Sequence, residues 1–137
     1  MSATPPKRGT RIAHIGLATE SIQAILPLYR DLLEMPEVEI DDSDGARISA
    51  LAAGDALIEF LQPEEPGSPI AKFLARRGPG IHHICFAVDD LDGTLARFRA
   101  AGLRPIDERP RVGAEGKRIA FIHPSGTNGV LVELSEY

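Results

Sequence analysis

The chain carries the same strand-to-helix pattern twice, and this repeat restricts the folds available to it. The segment HIGLA, which starts at His14, returns 69 residues later as HICFA, which starts at His83. Apolar residues at helical spacing follow each copy. Each half also ends in an apolar strand with one glutamate, Glu59 in LIEFL and Glu133 in LVELS. Agreement over a strand, a helix and a final strand indicates a duplicated module.

The duplication predicts an α+β fold. Two βαβββ modules are expected to pair and to form one curved mixed sheet around a metal-binding cleft. Residues 11–137 are predicted to be a single domain, with modules at 11–66 and 80–137 and a short helix between them. Residues 1–10 are polar, which predicts a flexible tail.

Hydrophobic spacing and turn residues predict the individual elements. The predicted strands are 12–18, 38–40, 46–53, 56–61, 81–88, 103–106, 117–122 and 130–135, with a turn at 41–45 and a polar loop at 108–115. The first helix is predicted to begin at the N-cap Thr19 and to bend or divide at Pro27. Ser68 and Asp90 are the predicted N-caps of the second and third helices.

Two adjacent histidines occupy the predicted strand at 81–88, and strand alternation predicts that they point to opposite faces. His83 shares its face with Cys85, whereas His82 lies on an otherwise apolar face. We therefore predict that His83 faces the cleft, that His82 is structural and that Cys85 is a small apolar filler. His123 is interpreted as a hydrogen-bonding residue at the end of a loop.

Pairing of two like modules brings one histidine and one glutamate from each half to the cleft, namely His14, Glu59, His83 and Glu133. A single histidine on a strand is more often structural than a ligand, and a glutamate in an apolar strand can face water at a sheet edge. Two such pairs at equivalent positions favour a metal site, because a buried carboxylate needs a partner. Two imidazoles and two carboxylates suit a divalent ion such as Zn²⁺, Ni²⁺, Co²⁺ or Mn²⁺.

Composition argues against several classes of function. The net charge is −5 with mixed signs, so the chain has no concentrated basic face for nucleic acid. Aromatic residues are scarce, which disfavours base stacking. No apolar run is long enough to cross a bilayer, so no membrane association is expected. The single cysteine cannot form an internal disulfide, which suits a reducing cytoplasm.

Four stretches carry a resemblance to a known superfamily. They are SPIAKFL from Ser68, GIHHIC from Gly80, GAEGKRIAFIHP from Gly113 and GVLVEL from Gly129. Over residues 12–137 the chain resembles the vicinal oxygen chelate superfamily, which includes glyoxalase I, extradiol dioxygenases and antibiotic-resistance proteins. Within it, the methylmalonyl-CoA epimerases are the most similar. The resemblance implies an acyl-CoA substrate and a homodimer.

The resemblance also implies epimerisation at C2 of methylmalonyl-CoA, with a metal ion held by His14, Glu59, His83 and Glu133. The ion would chelate the malonyl carboxylate and the thioester carbonyl and would stabilise the enolate formed when the C2 proton leaves. Inversion requires an acid/base group on each face of C2. Glu133 is the expected first group. Some family members have a glutamate where this chain has Ile48, so we expect Glu59 to act as the second.

Two other functions fit the same residues. A glyoxalase I-type lyase would use the same ligand set on a glutathione hemithioacetal, so the ligands alone do not separate it from an epimerase. A metal-free drug-binding protein of the resistance type would use the cleft without an ion. Activity with methylmalonyl-CoA, compared with methylglyoxal plus glutathione, separates the two enzymes, and tightly bound metal counts against the third function.

Overall fold

The computed structural model describes residues 7–42 and 45–137, which form one curled, eight-stranded mixed sheet with three α-helices. The first half has these bounds: β1 Arg11–Ala18, α1 Ile22–Pro27, β2 Glu37–Val38, β3 Ala46–Ala53 and β4 Ala56–Pro63. Helix α2, Pro69–Arg77, connects the halves. The second half has these bounds: β5 Gly80–Val88, α3 Leu91–Ala100, β6 Arg111–Val112, β7 Arg118–Ile122 and β8 Val132–Glu136. The predicted α+β fold is confirmed.

The strand order is β2-β3-β4-β1-β5-β8-β7-β6, which puts β1 and β5 side by side and antiparallel at the centre. This central pair is called the seam below, because it joins the two halves. On either side of it, β1 pairs with β4 and β5 pairs with β8 in parallel. From the edge of the sheet to the seam, the strands are β2-β3-β4-β1 in the first half and β6-β7-β8-β5 in the second, which is the same order, as the repeat predicts. The division into modules 11–66 and 80–137 remains a prediction.

Side-chain caps start the three helices. Ser68 Oγ at α2 and Asp90 Oδ1 at α3 each accept the backbone N–H three residues ahead, at 3.2 and 3.0 Å, as predicted. The predicted cap of α1 is wrong, because Ser21 and not Thr19 caps that helix. Thr19 Oγ1 instead accepts the N–H of Ser21. Both residue types cap well, so the local sequence does not decide between them.

Pro27 divides the first helical segment, as predicted. Helix α1 ends at this residue, and a π-helical turn, Leu28–Leu32, continues the segment. Proline has no N–H, and its ring crowds the preceding turn, so the regular hydrogen bonding stops there. The segment nevertheless keeps its apolar face on the sheet, where the ring of Tyr29 lies 4.9 Å from that of Phe60.

The outer strand of the second half is not where the sequence predicts it. The apolar run at 103–106 forms no strand, only an isolated bridge between Pro105 and Ile122. Pro105 lacks an N–H and so interrupts a ladder. The outer strand is β6, which lies inside the predicted loop 108–115 and pairs with β7.

The outer strand of the first half is also shifted and short. β2 covers Glu37–Val38 instead of 38–40 and pairs with β3. Ser43 and Asp44, in the middle of the predicted turn 41–45, lie outside the described residues. Strand β3 has the predicted bounds, and β4 begins where predicted but continues two residues further, to Pro63.

The helices lie on both faces of the sheet, and this decides which face is open. Phe60 packs under α1 and Leu134 packs under α3. These residues follow Glu59 and Glu133 directly, so α1 and α3 cover the face opposite the two glutamates. Helix α2 instead packs on Leu61, on the same face as Glu59. Its packing closes one end of a cleft on that face.

The first described residues are attached to the domain. The backbone N–H groups of Arg8 and Gly9 each donate to a carboxylate oxygen of Asp89 at 2.9 Å. The hydroxyl of Tyr137 donates to the carbonyl of Gly9 at 2.7 Å. Residues 1–6 of the predicted tail lie outside the described residues. Within residues 7–42 and 45–137, no helix is long and apolar enough to cross a membrane.

Candidate metal centre and active site

A cleft of about 340 Å³ lies between the two halves, on the face that α2 covers. Its polar residues include all four that the repeat predicts, each at most 6% exposed: His14, Glu59, His83 and Glu133. Its apolar walls include Ile48, Leu61, Ile70, Ile119, Phe121 and Leu131. A few converging polar groups in an apolar cavity are typical of a small-molecule site.

The strand register brings these four residues together. Gly16 of β1 pairs with Glu59 of β4 on one side and with His83 of β5 on the other. The neighbouring row across the sheet runs through His14, Cys85 and Glu133. Each half therefore contributes one histidine and one glutamate to two adjacent rows that cross the seam.

Gly16 is required by the close approach of His83. A Cβ atom on Gly16 would lie 2.2 Å from Cε1 and 2.6 Å from Nδ1 of His83, which is far inside van der Waals contact. The missing side chain is what allows the His83 imidazole to extend over β1 toward His14. The ring centroids of the two histidines are 5.1 Å apart.

The prediction that His82 and His83 point to opposite faces is wrong. The pairing of β5 with β1 shifts register between Gly16–His83 and Leu17–Ile81, which leaves His82 as an extra residue. Such a β-bulge redirects a side chain that strict alternation would send to the other face. Both histidines line the cleft, and their Nδ1 atoms lie 2.9 Å apart. His82 therefore holds the His83 ring in place.

Three of the four predicted ligands converge on one point. His14 Nε2 lies 3.0 Å from His83 Nε2 and 3.2 Å from Glu133 Oε1, and the latter two atoms are 3.1 Å apart. Two ligand atoms that bind one ion at about 2.1 Å and at right angles lie about 3.0 Å from each other. The three atoms therefore have the spacing of neighbouring ligands on one divalent ion.

The fourth predicted ligand, Glu59, lies at the other edge of the His14 ring. Its Oε2 is 3.1 Å from His14 Nδ1, and Glu115 Oε2 is 2.7 Å from the same nitrogen. His14 Nδ1 and Glu59 Oε2 are buried, yet they lack a hydrogen bond of proper geometry. Such atoms are costly to bury unless a proton or a cation lies between or beside them. The cluster at Nε2 has a donor set that fits a divalent ion, and the unsatisfied atoms belong to a second group of possible ligands at Nδ1, formed by His14, Glu59 and Glu115.

The two glutamates have opposite electrostatic surroundings. Burial raises the pKa of Glu133, but its hydrogen bonds with His14 and His83 outweigh this and lower the pKa to about 2. Burial, supported by the nearby carboxylates, raises the pKa of Glu59 to about 8. Burial by itself would lower the pKa of His14, but the groups around it hold that pKa well above its usual range. Ligand atoms of Glu59 and His14 must lose protons when they bind a cation.

The sequence matches a family model over residues 13–121, and that family is described as the glyoxalase/bleomycin resistance protein/dioxygenase superfamily. The chain belongs to this superfamily. The match spans both halves and includes three of the four strands that meet at the cleft floor, namely β1, β4 and β5 but not β8.

Relatives in this superfamily match along nearly the whole chain. An ethylmalonyl-CoA/methylmalonyl-CoA epimerase of Cereibacter sphaeroides is 35% identical over 92% of this chain and 97% of its own length. The crystal structure of a methylmalonyl-CoA epimerase from Mycobacterium tuberculosis is 38% identical, with a TM-score of 0.87, over 99% of this chain and 92% of that one. A methylmalonyl-CoA epimerase in complex with methylmalonyl-CoA and NH₄⁺ is 34% identical, with a TM-score of 0.87, over 93% and 94%.

One residue of the cleft, a third carboxylate, was not predicted from the sequence. Glu115 lies between β6 and β7, lines the cleft and is 22% exposed at its side chain. Its pKa is lowered, because the contacts with His14 and Glu59 outweigh the effect of burial. The segment GAEGKR contains two glycines and three charged residues, which is also the pattern of an ordinary solvated turn. A glutamate in such a turn gives no local signal that it reaches a cleft.

Cys85 is more than the apolar filler that the sequence predicts, because its sulfur lies within 4.8 Å of ligand atoms of His14 and Glu133. Cys85 is fully buried, and burial raises the pKa of its thiol to about 12. His123 accepts the N–H of Ser125 at 3.1 Å and contacts the Ser125 hydroxyl at 2.8 Å. Its predicted part as a hydrogen-bonding residue at a loop end is confirmed.

Proposed function

We propose that this protein interconverts the R and S forms of methylmalonyl-CoA at C2, with a divalent metal ion such as Co²⁺, Mn²⁺, Zn²⁺ or Ni²⁺. The observation that carries the proposal is the meeting of two histidines and two glutamates on the floor of an apolar cleft. Epimerases named for this substrate match the chain over nearly its whole length, which supports the same chemistry here.

The proposed ligands are His14, Glu59, His83 and Glu133. A divalent ion bound there supplies positive charge beside the negative charge that develops when C2 loses its proton. His82 contributes by fixing the orientation of His83 through its Nδ1 contact of 2.9 Å. The apolar walls, which include Ile48 and Phe121, exclude water from the reacting carbon.

Two carboxylates are proposed to exchange protons with C2, Glu133 on one face and Glu59 on the other. Their placement on different edges of the His14 ring supports this assignment. Glu133 faces Nε2 and Glu59 faces Nδ1, so a small ligand at the cleft floor can meet them from different directions. Inversion follows when one carboxylate takes the proton and the other returns one.

We also propose a homodimer and a cytoplasmic location. Ile12 and Ile81 lie on the seam strands and are 44% and 58% exposed, which supports a partner surface there. The only cysteine of the chain is a buried, unpaired thiol, which is compatible with a reducing compartment. The mass of the protein in solution tests the first of these proposals, and fractionation of the source cell tests the second.

The deciding experiment is an epimerase assay combined with metal analysis. Purified protein is analysed for bound metals and then assayed with methylmalonyl-CoA, and in parallel with methylglyoxal plus glutathione. We expect activity with the first substrate only, loss of activity after chelation, and recovery when a divalent ion is added back. Full activity in chelated protein would contradict the metal requirement. Protein that contains metal but acts on neither substrate would contradict both enzyme functions.

The two alternative functions use the same cleft, and no specific observation favours either of them. A glyoxalase I-type lyase would act on the glutathione adduct in the assay above. A drug-binding protein would carry no tightly held metal and would act on neither substrate. The relatives that match over nine-tenths of the chain support the epimerase instead.

A further inference from the structure

The cleft contains a single strongly basic side chain among its described lining residues, that of Arg111. Four carboxylates line the same cleft, namely Glu59, Asp107, Glu115 and Glu133. A ligand that carries its own carboxylate is therefore repelled by most of the charged side chains that it meets there. Arg111 is the one side chain of fixed positive charge in the described lining that attracts such a ligand.

The strand that carries Arg111 places it against the wall of the cleft. Arg111 begins β6 and pairs with Ile119 of β7, which is 8% exposed and lines the cleft. The guanidinium carbon of Arg111 lies 5.7 Å from the centre of the Phe121 ring, and that ring lies 5.9 Å from the His83 ring. One aromatic ring therefore connects Arg111 with a proposed metal ligand.

An acidic neighbour orients the guanidinium of Arg111. Its Nε lies 3.6 Å from Oδ2 of Asp107, four residues earlier in the chain. That oxygen is buried and makes no hydrogen bond of proper geometry, so the ion pair is loose. The side chain of Arg111 is 45% exposed, which places it at the mouth of the cleft. A guanidinium has five N–H donors, so it can contact Asp107 and a carboxylate of a ligand at the same time.

Protection of the sheet edge accounts for a charge on β6 but not for the direction of the Arg111 side chain. β6 is the outer strand of the second half, and charged side chains on such strands oppose pairing with other chains. Arg118, which lies on the paired strand β7, contacts Asp92 and Glu136, neither of which lines the cleft. Edge protection gives no reason for Arg111 to lie instead on the cleft wall beside Phe121.

We propose that Arg111 binds the free carboxylate of the acyl group and thereby selects thioesters that carry a second acid group. This inference rests on the proposed function, because it takes a methylmalonyl thioester to be the ligand of the cleft. The planar guanidinium donates two parallel hydrogen bonds to a carboxylate, which a neutral side chain does not reproduce. Arg111 is then a specificity-determining residue, which acts on the bound acyl group and not on the proton at C2.

The test compares the binding of two thioesters that differ only in the acid group. Methylmalonyl-CoA is compared by calorimetry with isobutyryl-CoA, in which a methyl group replaces the carboxylate. The wild type is expected to bind methylmalonyl-CoA more tightly, and the ratio of the two Kd values measures this preference. In Arg111→Gln the ratio is expected to fall about tenfold, because a charge-assisted contact is lost. An unchanged ratio would overturn the proposal.

Arg111→Lys keeps the charge but loses the planar fork of donors. Its Kd ratio is expected to lie between those of the wild type and Arg111→Gln, and a fall as large as that in Arg111→Gln would overturn the proposal. Thermal melting shows whether each variant is folded before it is titrated. If Arg111→Gln does not fold, an unchanged ratio in Arg111→Lys would overturn the proposal. Bound metal is measured in every sample and is expected to equal that of the wild type; a ratio that falls only in proportion to lost metal would also overturn it.

Arg109→Gln is the matched control, since Arg109 is exposed, lies two residues before Arg111 and is outside the lining of the cleft. Its Kd ratio is expected to equal that of the wild type. A fall equal to that in Arg111→Gln would reduce the effect to the general charge of this segment and overturn the proposal.

The binding measurement also separates this inference from the proposed function, because it does not require turnover. If the wild type is inactive as an epimerase but its preference for methylmalonyl-CoA depends on Arg111, the carboxylate contact stands and the epimerase function fails. If the wild type is an active epimerase and its Kd ratio equals that of Arg111→Gln, the carboxylate contact fails and the epimerase function stands.

Discussion

The two halves of this molecule have the same strand order but give their histidine and glutamate different surroundings. In the second half, Glu133 lies between two imidazoles, and its pKa is lowered to about 2. In the first half, Glu59 meets one imidazole and a second carboxylate, and burial raises its pKa to about 8. At positions related by the repeat, the pKa of one glutamate is therefore raised and that of the other is lowered.

Residues outside the repeated positions create this difference. Glu115 comes from the β6–β7 turn of the second half and reaches Nδ1 of His14. His82 comes from a β-bulge and reaches Nδ1 of His83. The two histidines thus have different partners on the ring nitrogen that lies away from their mutual contact. Duplication places the two histidines and the two glutamates, and Glu115 and His82 then give the two halves different chemical surroundings.

Replacement of Glu133 is expected to have the largest effect. In Glu133→Gln the carboxylate that contacts both imidazoles loses its charge, so the metal affinity and the proton transfer at C2 are both expected to fall. We expect kcat to fall by about 10²- to 10⁴-fold, the usual contribution of an acid/base group. Steady-state kinetics and metal analysis of the same sample check this. Wild-type turnover with a full complement of metal would contradict the assignment.

Replacement of Glu59 is expected to separate exchange from inversion. Glu59→Gln keeps an oxygen for the metal, so metal content should stay close to that of the wild type. Proton transfer on one face of C2 is lost, while Glu133 still exchanges the hydrogen on the other. In deuterated water, one epimer should exchange its C2 hydrogen without inverting. Full epimerase activity in Glu59→Gln would exclude Glu59 from proton transfer. If Glu59→Gln and Glu133→Gln lost equal amounts of metal, the two glutamates would contribute equally to metal binding, contrary to the comparison above.

Gly16→Ala is expected to displace His83. The new Cβ would lie 2.2 Å from Cε1 of His83, so the ring or the strand must move. Such overpacking costs about 1–3 kcal/mol of unfolding free energy, measured by denaturant titration. Gly67→Ala is the matched control, since nothing lies within 4 Å of its added Cβ. Equal unfolding free energies for Gly16→Ala and Gly67→Ala would mean that the His83 ring does not need the space that Gly16 leaves.

Glu115→Gln tests the contribution of the added carboxylate. Its oxygen lies 2.7 Å from Nδ1 of His14, so its loss should leave that ring less firmly oriented. Metal affinity, measured by calorimetric titration, is expected to fall about tenfold, the lower range for a group that orients a ligand. Glu108→Gln, an exposed glutamate in the neighbouring loop, should bind metal as the wild type does. The same affinity in both variants would assign Glu115 no part in the site.

Asp89→Asn is expected to have the smallest effect. The N–H groups of Arg8 and Gly9 lower the pKa of Asp89 below its unfolded value of about 3.9. Its contribution to stability is therefore complete above that value and disappears as the pH falls through the folded pKa. The variant should melt slightly below the wild type at neutral pH, and the two should converge in acid. Glu20→Gln, on an exposed residue just after β1, is the control and should melt as the wild type does at neutral pH.

The sequence predicted the four central groups because they depend on patterns that local residues carry. A histidine in the first strand and a glutamate in the last strand recur in both halves. In each half the last strand pairs in parallel with the first, β4 with β1 and β8 with β5, which brings the two residue types together. Ser68 and Asp90 were also predictable, because capping is decided by residues three positions apart.

The errors occur where a partner strand or a loop decides the outcome. The direction of His82 depends on a register shift against β1, which no pattern within β5 encodes. The outer strand of the second half depends on which segment reaches β7, and β6 does so instead of the more apolar run at 103–106. Glu115 reaches the cleft because of the position of a whole turn. These features come from long-range packing, which hydrophobic spacing does not report.

Because of the seam, ligand binding in the cleft is coupled to the association of the two halves. His14 and His83 come from opposite sides of it, so a ligand that grips both rings must be released before β1 and β5 can separate. A ligand bound there therefore increases the free energy needed to separate the two halves, and this increase grows with the logarithm of the ligand concentration.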